Sequence, residues 1–166
     1  MRGLLLVGFM TWTMILNTPQ VEAADYYVGV VTKVSDGDTA VVQAGGNKFS
    51  VRFAVIDAPE VRHNNNETDQ PWGQQSKSAL ERKILNQRVN LDCNGQSYDR
   101  KVCTVYLGSE NVNAWLVQHG HAWAYDKYDR SGAMQKLEDQ ARSKRIGIWS
   151  LPERQQINPE AWRRSR

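Results

Sequence analysis

Between residues 26 and 56 the chain alternates short runs of β-forming residues with turn residues, and that rhythm leaves few folds open. Residues 26–34 are rich in Tyr, Val and Thr and read as a strand. Asp36-Gly37-Asp38 breaks it with turn residues. Residues 39–43 read as a second strand, Ala44-Gly45-Gly46-Asn47 as a hairpin turn, and residues 48–56 as a third strand. Alternation in the third strand places Val51, Phe53 and Val55 on one face, with Arg52 and Ala54 on the other. Three strands in meander order begin a small antiparallel barrel.

Pro59 ends the third strand, and residues 62–70 form a polar, Asn-rich loop that includes His63. A helix is expected from about Pro71, with Ala79, Leu80 and Ile84 as its apolar stripe. Residues 88–93 and 101–107 read as a strand pair. Residues 111–118 read as a short helix with Val112, Trp115 and Leu116 inward, stopped by Gly120. Residues 131–144 carry a longer helix with Met134, Leu137 and Ala141 on one stripe. Gly147 ends it, and Ile148 and Trp149 form a packing plug. Residues 151–166 are a polar, basic tail. The chain, 166 residues long, is enough for one domain with a real core, and it shows no internal repeat. Five strands with inserted helices give an α+β class. Periodicity alone does not choose a five-stranded Greek-key barrel over other small sheets.

The N-terminus has the pattern of an export signal. Arg2 precedes an uncharged apolar run over residues 3–16, and Val21-Glu22-Ala23 supplies a cleavage site after Ala23. The alternative, a membrane anchor, needs roughly 20 apolar residues, more than this run provides. No other apolar run is long enough to span a bilayer. The organisation is therefore a leader over 1–23, a folded domain over 24–150 and the tail over 151–166, secreted or periplasmic, with no membrane attachment after cleavage. Export to an oxidising compartment permits a disulfide between Cys93 and Cys103, which face each other if the hairpin turns near Tyr98. Two buried free thiols are the alternative.

Asp36, Asp38 and Asp57 are oxygen donors suited to a hard cation such as calcium or magnesium, and no Cys/His spacing supports zinc. An aspartate beside glycine is commonly only a turn residue. Here a second acid-bearing turn, Asp57-Ala58-Pro59-Glu60, ends a neighbouring strand. Glu60 has the reach to serve as a general base on water; alternatively it is a solvated loop residue. Arg52 and Arg100 offer guanidinium forks that match phosphate oxygens, or else pair with nearby aspartates. Tyr98, Tyr125, Tyr128 and Trp123 could stack on bases or fill the core. His63, His119 and His121 take no catalytic role, and no Ser, Cys or His nucleophile arrangement is present. The net charge of +3 is compatible with a polyanionic partner but identifies none.

Taken in order, Val34-Ser35-Asp36-Gly37-Asp38-Thr39, Arg52 through Glu60 and Tyr98-Asp99-Arg100 resemble the staphylococcal nuclease family. Asn113-Ala114-Trp115-Leu116-Val117-Gln118-His119-Gly120 and Ile146-Gly147-Ile148-Trp149-Ser150 extend the likeness over residues 30–149. The resemblance implies a five-stranded OB-fold barrel with three helices. It implies a monomeric calcium-dependent nuclease acting on DNA and RNA and leaving 3′-phosphates. One calcium would sit on Asp38, Asp57 and the Ala58 backbone carbonyl, with Asp36 holding a coordinated water. Glu60 would be the base, and Arg52 and Arg100 would bind the phosphate. Two positions depart from the pattern. Ala58 replaces the usual threonine, and Ser97 stands in a shortened hairpin where a nucleotide-contacting lysine is usual. A non-catalytic OB-fold nucleic-acid-binding module is the rival reading, but such a module has no need of Asp38, Asp57, Glu60, Arg52 and Arg100 together.

Overall fold

The turn at Gly45-Gly46, with φ of 55° and 84°, folds strand β2 (Thr39–Ala44) directly onto β3 (Asn47–Phe53). The register runs from Ala44 opposite Asn47 to Thr39 opposite Arg52. This is a computed structural model, and it describes residues 25–62, 68–125, 127–129 and 131–165. The expected leader over 1–23, and the centre of the Asn-rich loop with His63, lie outside the described residues.

Strand β1 (Asp25–Asp36) pairs with β2 on one side and with β5 (Arg88–Ser97) on the other, and β5 pairs with β6 (Arg100–Leu107). A parallel pairing of β3 with β6, from Ser50 opposite Arg100 to Phe53 opposite Cys103, closes the barrel. The class is α+β, as the strand pattern suggests, and the barrel is five-stranded, as the resemblance implies; it is mixed rather than wholly antiparallel because β3 and β6 run parallel. Inward-facing residues alternate along each strand, and Val31, Val42, Val51, Phe53, Val89, Leu91 and Val105 are fully buried together. Helix α1 (Gly73–Ile84) lays Ala79, Leu80 and Ile84 against this core.

The third strand does not run to Ile56 as its alternation suggests. Pairing in β3 ends at Phe53; Ala54 N donates to Cys103 O at 2.9 Å, and Val55 then takes φ 56°. A positive φ at a β-branched residue is strained and reverses the chain. Val55 therefore leaves the Val51/Phe53 face, and β4 (Ile56–Asp57) starts a separate two-stranded sheet with β8 (Trp123–Ala124). The Val55 carbonyl accepts from Tyr125 N at 2.9 Å, so the later chain holds the reversal in place.

A two-residue edge strand, β7 (Glu110–Asn111), leads into α2 (Val112–Gln118), whose first turn is capped by the Asn111 side chain. Trp115, expected inward, is only partly buried. The fully buried polar residue is Asn113, whose amide accepts from Val105 N and donates to Ala54 O and Cys103 O. One side chain thus satisfies Val105 N and Ala54 O where the barrel ends and adds a second bond to Cys103 O, and Trp115 lies on a shelf beside Lys83, whose Nζ is 4.2 Å from its ring centre. Helix α3 (Ala133–Ser143) buries Met134 and Ala141, with Leu137 at the margin. It also buries Glu138, which accepts from Ala124 N at 2.7 Å and so fixes β8. Ile148 and Trp149 plug the space under α3, with Trp149 edge-on to Trp123 at 4.5 Å between ring centres. Trp123 is thereby a packing residue. Two short 3-10 turns, Gly147–Ser150 and Glu153–Gln155, lead to a further helix, α4 (Pro159–Arg164). No helix among the described residues is long and apolar enough to cross a membrane.

Candidate active site

Two turns make the acidic wall, and a glycine lets them meet. A side chain on Gly37 would put its Cβ 2.7 Å from the Cβ atoms of both Ala58 and Ser76, so only glycine allows this approach. As a result Asp38, at the start of β2, reaches across to the β4 turn. Its Oδ2 accepts from Ala58 N at 2.7 Å, its Oδ1 accepts from Thr39 Oγ1, and Asp36 in turn accepts from Asp38 N at 3.0 Å.

Arg52 projects from β3 between the two turns. One arm lies 2.7 Å from Asp38 Oδ2 and the other 2.8 Å from Asp57 Oδ1. The ion pair is thus made with both aspartates, and the Arg52 side chain is only 16% exposed. Burial works against its charge, but Asp38 and Asp57 outweigh it and hold the guanidinium protonated. Burial pushes Asp38 up to about 6, against the pull of Arg52, and Asp36 adds repulsion. Asp57 is raised as well, by burial first and by Asp38 second, with Arg163 and Arg52 opposing.

Glu60 is positioned through its backbone. Its N–H donates to Gln70 Oε1 at 3.0 Å and its carbonyl accepts from Gln70 N at 2.9 Å. Arg100 begins β6 just after the Tyr98-Asp99 turn, where Tyr98 takes φ 57°. Cys93 and Cys103 are disulfide-bonded across this hairpin, with Cα atoms 3.9 Å apart. A bulge between Cys93 and Gln96 brings the pairing into that register. Among the described residues Arg100 has no ion-pair partner, in contrast to Arg52.

Asp36, Asp38, Arg52, Asp57, Glu60 and Arg100 line one cleft of about 970 Å³, together with Tyr98, Tyr125, Tyr128 and Arg163. Tyr98 is 91% exposed and Tyr128 65%, and Tyr125 meets Tyr128 edge-on at 5.1 Å. The donor set on the acidic wall is oxygen only, and it is buried, so the carboxylates gain by meeting a positive charge. That chemistry fits a hard divalent cation on Asp38 and Asp57. Among the described residues no three acidic, histidine or cysteine side chains have metal-site spacing, so a carbonyl and waters would have to complete the shell.

Sequence reasoning missed two residues here. Arg163 of α4 donates to both oxygens of Asp57, at 2.9 and 3.3 Å, and to Glu60 Oε1. Gln70, only 2% exposed, anchors Glu60. The sole sequence signal for Arg163 was the basic composition of the tail, which carries no spacing information. His119 and His121 lie away from the cleft, stacked on Trp115 and Trp72.

Fold and cleft together define an OB-type barrel protein with an acid- and arginine-lined cleft beside the barrel mouth. The chain belongs to the staphylococcal nuclease family, whose model, described as "Staphylococcal nuclease homologue", matches residues 50–151. It is 37% identical over 136 residues to an "Uncharacterized endonuclease" of Haemophilus influenzae, covering 81% of this chain and 71% of that protein. It is 33% identical over 149 residues to "Micrococcal nuclease" of Shigella flexneri, covering 82% and 80%. It is 29% identical over 150 residues to "Thermonuclease" of Staphylococcus hyicus, covering 87% and 88%.

Proposed function

We propose that this protein is a secreted or periplasmic, monomeric, calcium-dependent nuclease that hydrolyses DNA and RNA with little sequence preference and leaves 3′-phosphate ends. The observation that carries this reading is the convergence of Asp36, Asp38, Arg52, Asp57, Glu60 and Arg100 in one cleft. Two turns and strand β3 supply the residues within 36–60, the β5–β6 hairpin supplies Arg100, and a pure binding surface needs no buried carboxylates at its centre. Family membership and the nucleases among the relatives support the same reading.

Asp38, Asp57 and the Ala58 carbonyl would hold calcium, with Asp36 acting through a water. When bound, the ion supplies positive charge to the phosphate and helps orient substrate and water. Glu60 takes a proton from the attacking water as its oxygen bonds to phosphorus. The bond from phosphorus to the 5′ oxygen breaks, and that oxygen leaves as a hydroxyl with a proton from solvent. Arg100 and Arg52 hydrogen-bond the oxygens on which charge accumulates, a preorganised stabilisation that is commonly the largest catalytic contribution. Tyr98, Tyr125 and Tyr128 offer faces to bases without reading their identity.

The test uses the purified mature chain on DNA and on RNA, with calcium, with magnesium and with chelator. Cleavage only with calcium, and products that gain a labelling site after phosphatase treatment of the 3′ end, support the reading. A calcium-loaded, folded sample that leaves both polymers intact overturns it.

A further inference from the structure

The basic tail returns to the cleft. Pro159 at the start of α4 is buried, and the Asn158 side chain caps the helix by accepting from Glu160 N at 2.9 Å. Gln70 ties this segment to the acidic wall: its Nε2 donates to Ile157 O at 2.6 Å while its Oε1 accepts from Glu60 N. One buried amide thus joins the chain ahead of α4 to the backbone of Glu60. From α4 the Arg163 guanidinium forks onto both oxygens of Asp57 and also donates to Glu60 Oε1.

Asp57 and Glu60 are the carboxylates that a metal-dependent hydrolysis needs free. Asp57 already gives one oxygen to Arg52, and Arg163 engages both. A second guanidinium on the same carboxylate, added to that of Arg52, takes up the lone pairs a cation would use and repels its like charge. The Glu60 oxygen that accepts from Arg163 is likewise not open to accept from a water. We infer that α4 is an autoinhibitory latch, in which Arg163 competes with the divalent cation for Asp57 and withholds Glu60 from water until it is displaced. The inference rests on the calcium-dependent nuclease reading of the cleft. The latch is built to release. The Arg163 side chain is 40% exposed, and a helix of six residues is too short to persist in water without its docking contacts.

The test compares wild type with Arg163→Ala, Arg163→Lys and Arg164→Ala in the full mature chain. Calcium is titrated into metal-stripped protein by calorimetry without nucleic acid, and the calcium dependence of DNA cleavage is then measured. A latch closed about nine-tenths of the time weakens apparent affinity about tenfold. Arg163→Ala should therefore bind calcium about tenfold tighter, and half-maximal cleavage should need correspondingly less calcium at an undiminished saturating rate. Arg163→Lys keeps the charge but loses the fork, so it should fall between the two, and it carries the comparison alone if the alanine variant does not fold. Arg164→Ala removes the same charge one residue further on, where the side chain is 76% exposed and, among the described residues, pairs with Glu160 alone; its affinity should match wild type.

Equal calcium affinity in Arg163→Ala and wild type overturns the latch. So does equal tightening in Arg164→Ala, because net charge then accounts for the effect. So does a lost saturating rate at unchanged affinity, which makes Arg163 a substrate-binding group. A wild-type chain that neither binds calcium nor cuts DNA overturns the nuclease reading itself, a separate result.

Discussion

Gly73 lies directly against the Glu60 backbone: a Cβ on Gly73 would stand 2.4 Å from the Glu60 carbonyl oxygen and 3.1 Å from its carbonyl carbon. The obstructing atoms are main chain, so they cannot swing aside as a flexible side-chain end would. The start of α1 and the turn that carries the candidate base are thus packed to contact, and Gln70 bonds Glu60 on the same side.

Gly73→Ala should push Glu60 out of position. Overpacking of this kind costs about 1–3 kcal/mol, visible as a lower melting temperature. Because the push falls on Glu60, kcat should drop further than the stability loss explains, measured on the folded fraction at a temperature well below melting. A variant with full kcat would show that the loop absorbs the added carbon elsewhere.

The two arginines should separate by their effect on folding. Arg100 has no ion-pair partner among the described residues, so Arg100→Ala should leave the melting temperature near wild type while removing most turnover. Arg52 bridges two buried carboxylates. Removing one partner of a buried ion pair costs about 3–5 kcal/mol, so Arg52→Ala should lose both stability and activity. Arg52→Lys should restore part of the stability but little activity, because one ammonium cannot replace the two-armed fork. Paired melting curves and cleavage rates check this; a marked stability loss in Arg100→Ala would contradict it.

The disulfide should matter more to Arg100 than to the barrel as a whole. Cys93 and Cys103 are ten positions apart and clamp the hairpin whose turn precedes Arg100. Closing a loop of this length contributes about 2–3 kcal/mol in the chain-entropy account. The Cys93→Ala/Cys103→Ala double variant should lose roughly that much in a denaturant titration. It should also raise KM, as Arg100, the proposed phosphate-binding arm, gains freedom. Unchanged KM would confine the bridge to a stabilising role.

His121 should give the cation-free protein an acid-sensitive stability. Burial, then His119 and Arg82, lower it from 6.5 to about 4, and its Nδ1 accepts from Trp72 Nε1. Between those values the unfolded chain binds a proton that the folded chain refuses. Stability from this group is therefore complete above pH 6.5 and falls as pH drops toward 4. Asp38 acts with opposite sign: raised from 3.8 to about 6, it makes the folded state the better proton binder, so stability falls as pH rises through that range. Comparing wild type with His121→Gln in chelator isolates the histidine. The variant should lose less stability than wild type on going from pH 6.5 to pH 4.5, and parallel profiles would refute the assignment.

The β1–β2–β3 meander, the apolar stripes of α1 and α3, and the placing of acids and arginines at strand ends follow from residue order alone. Those features are local: strand and helix periodicities and turn residues act over a few positions, so they survive without knowledge of neighbours. The rest came from packing in three dimensions. It broke the third strand at Val55, because the chain must leave the barrel where the pairing of β3 with β6 ends. It turned Trp115 aside in favour of Asn113, because the open backbone groups of Val105 and Ala54 at the barrel end needed one amide. It also brought Arg163 onto Asp57 and Glu60 across more than a hundred residues. A contact over that separation depends on where the closed barrel puts both ends, and no local pattern of residue types records it.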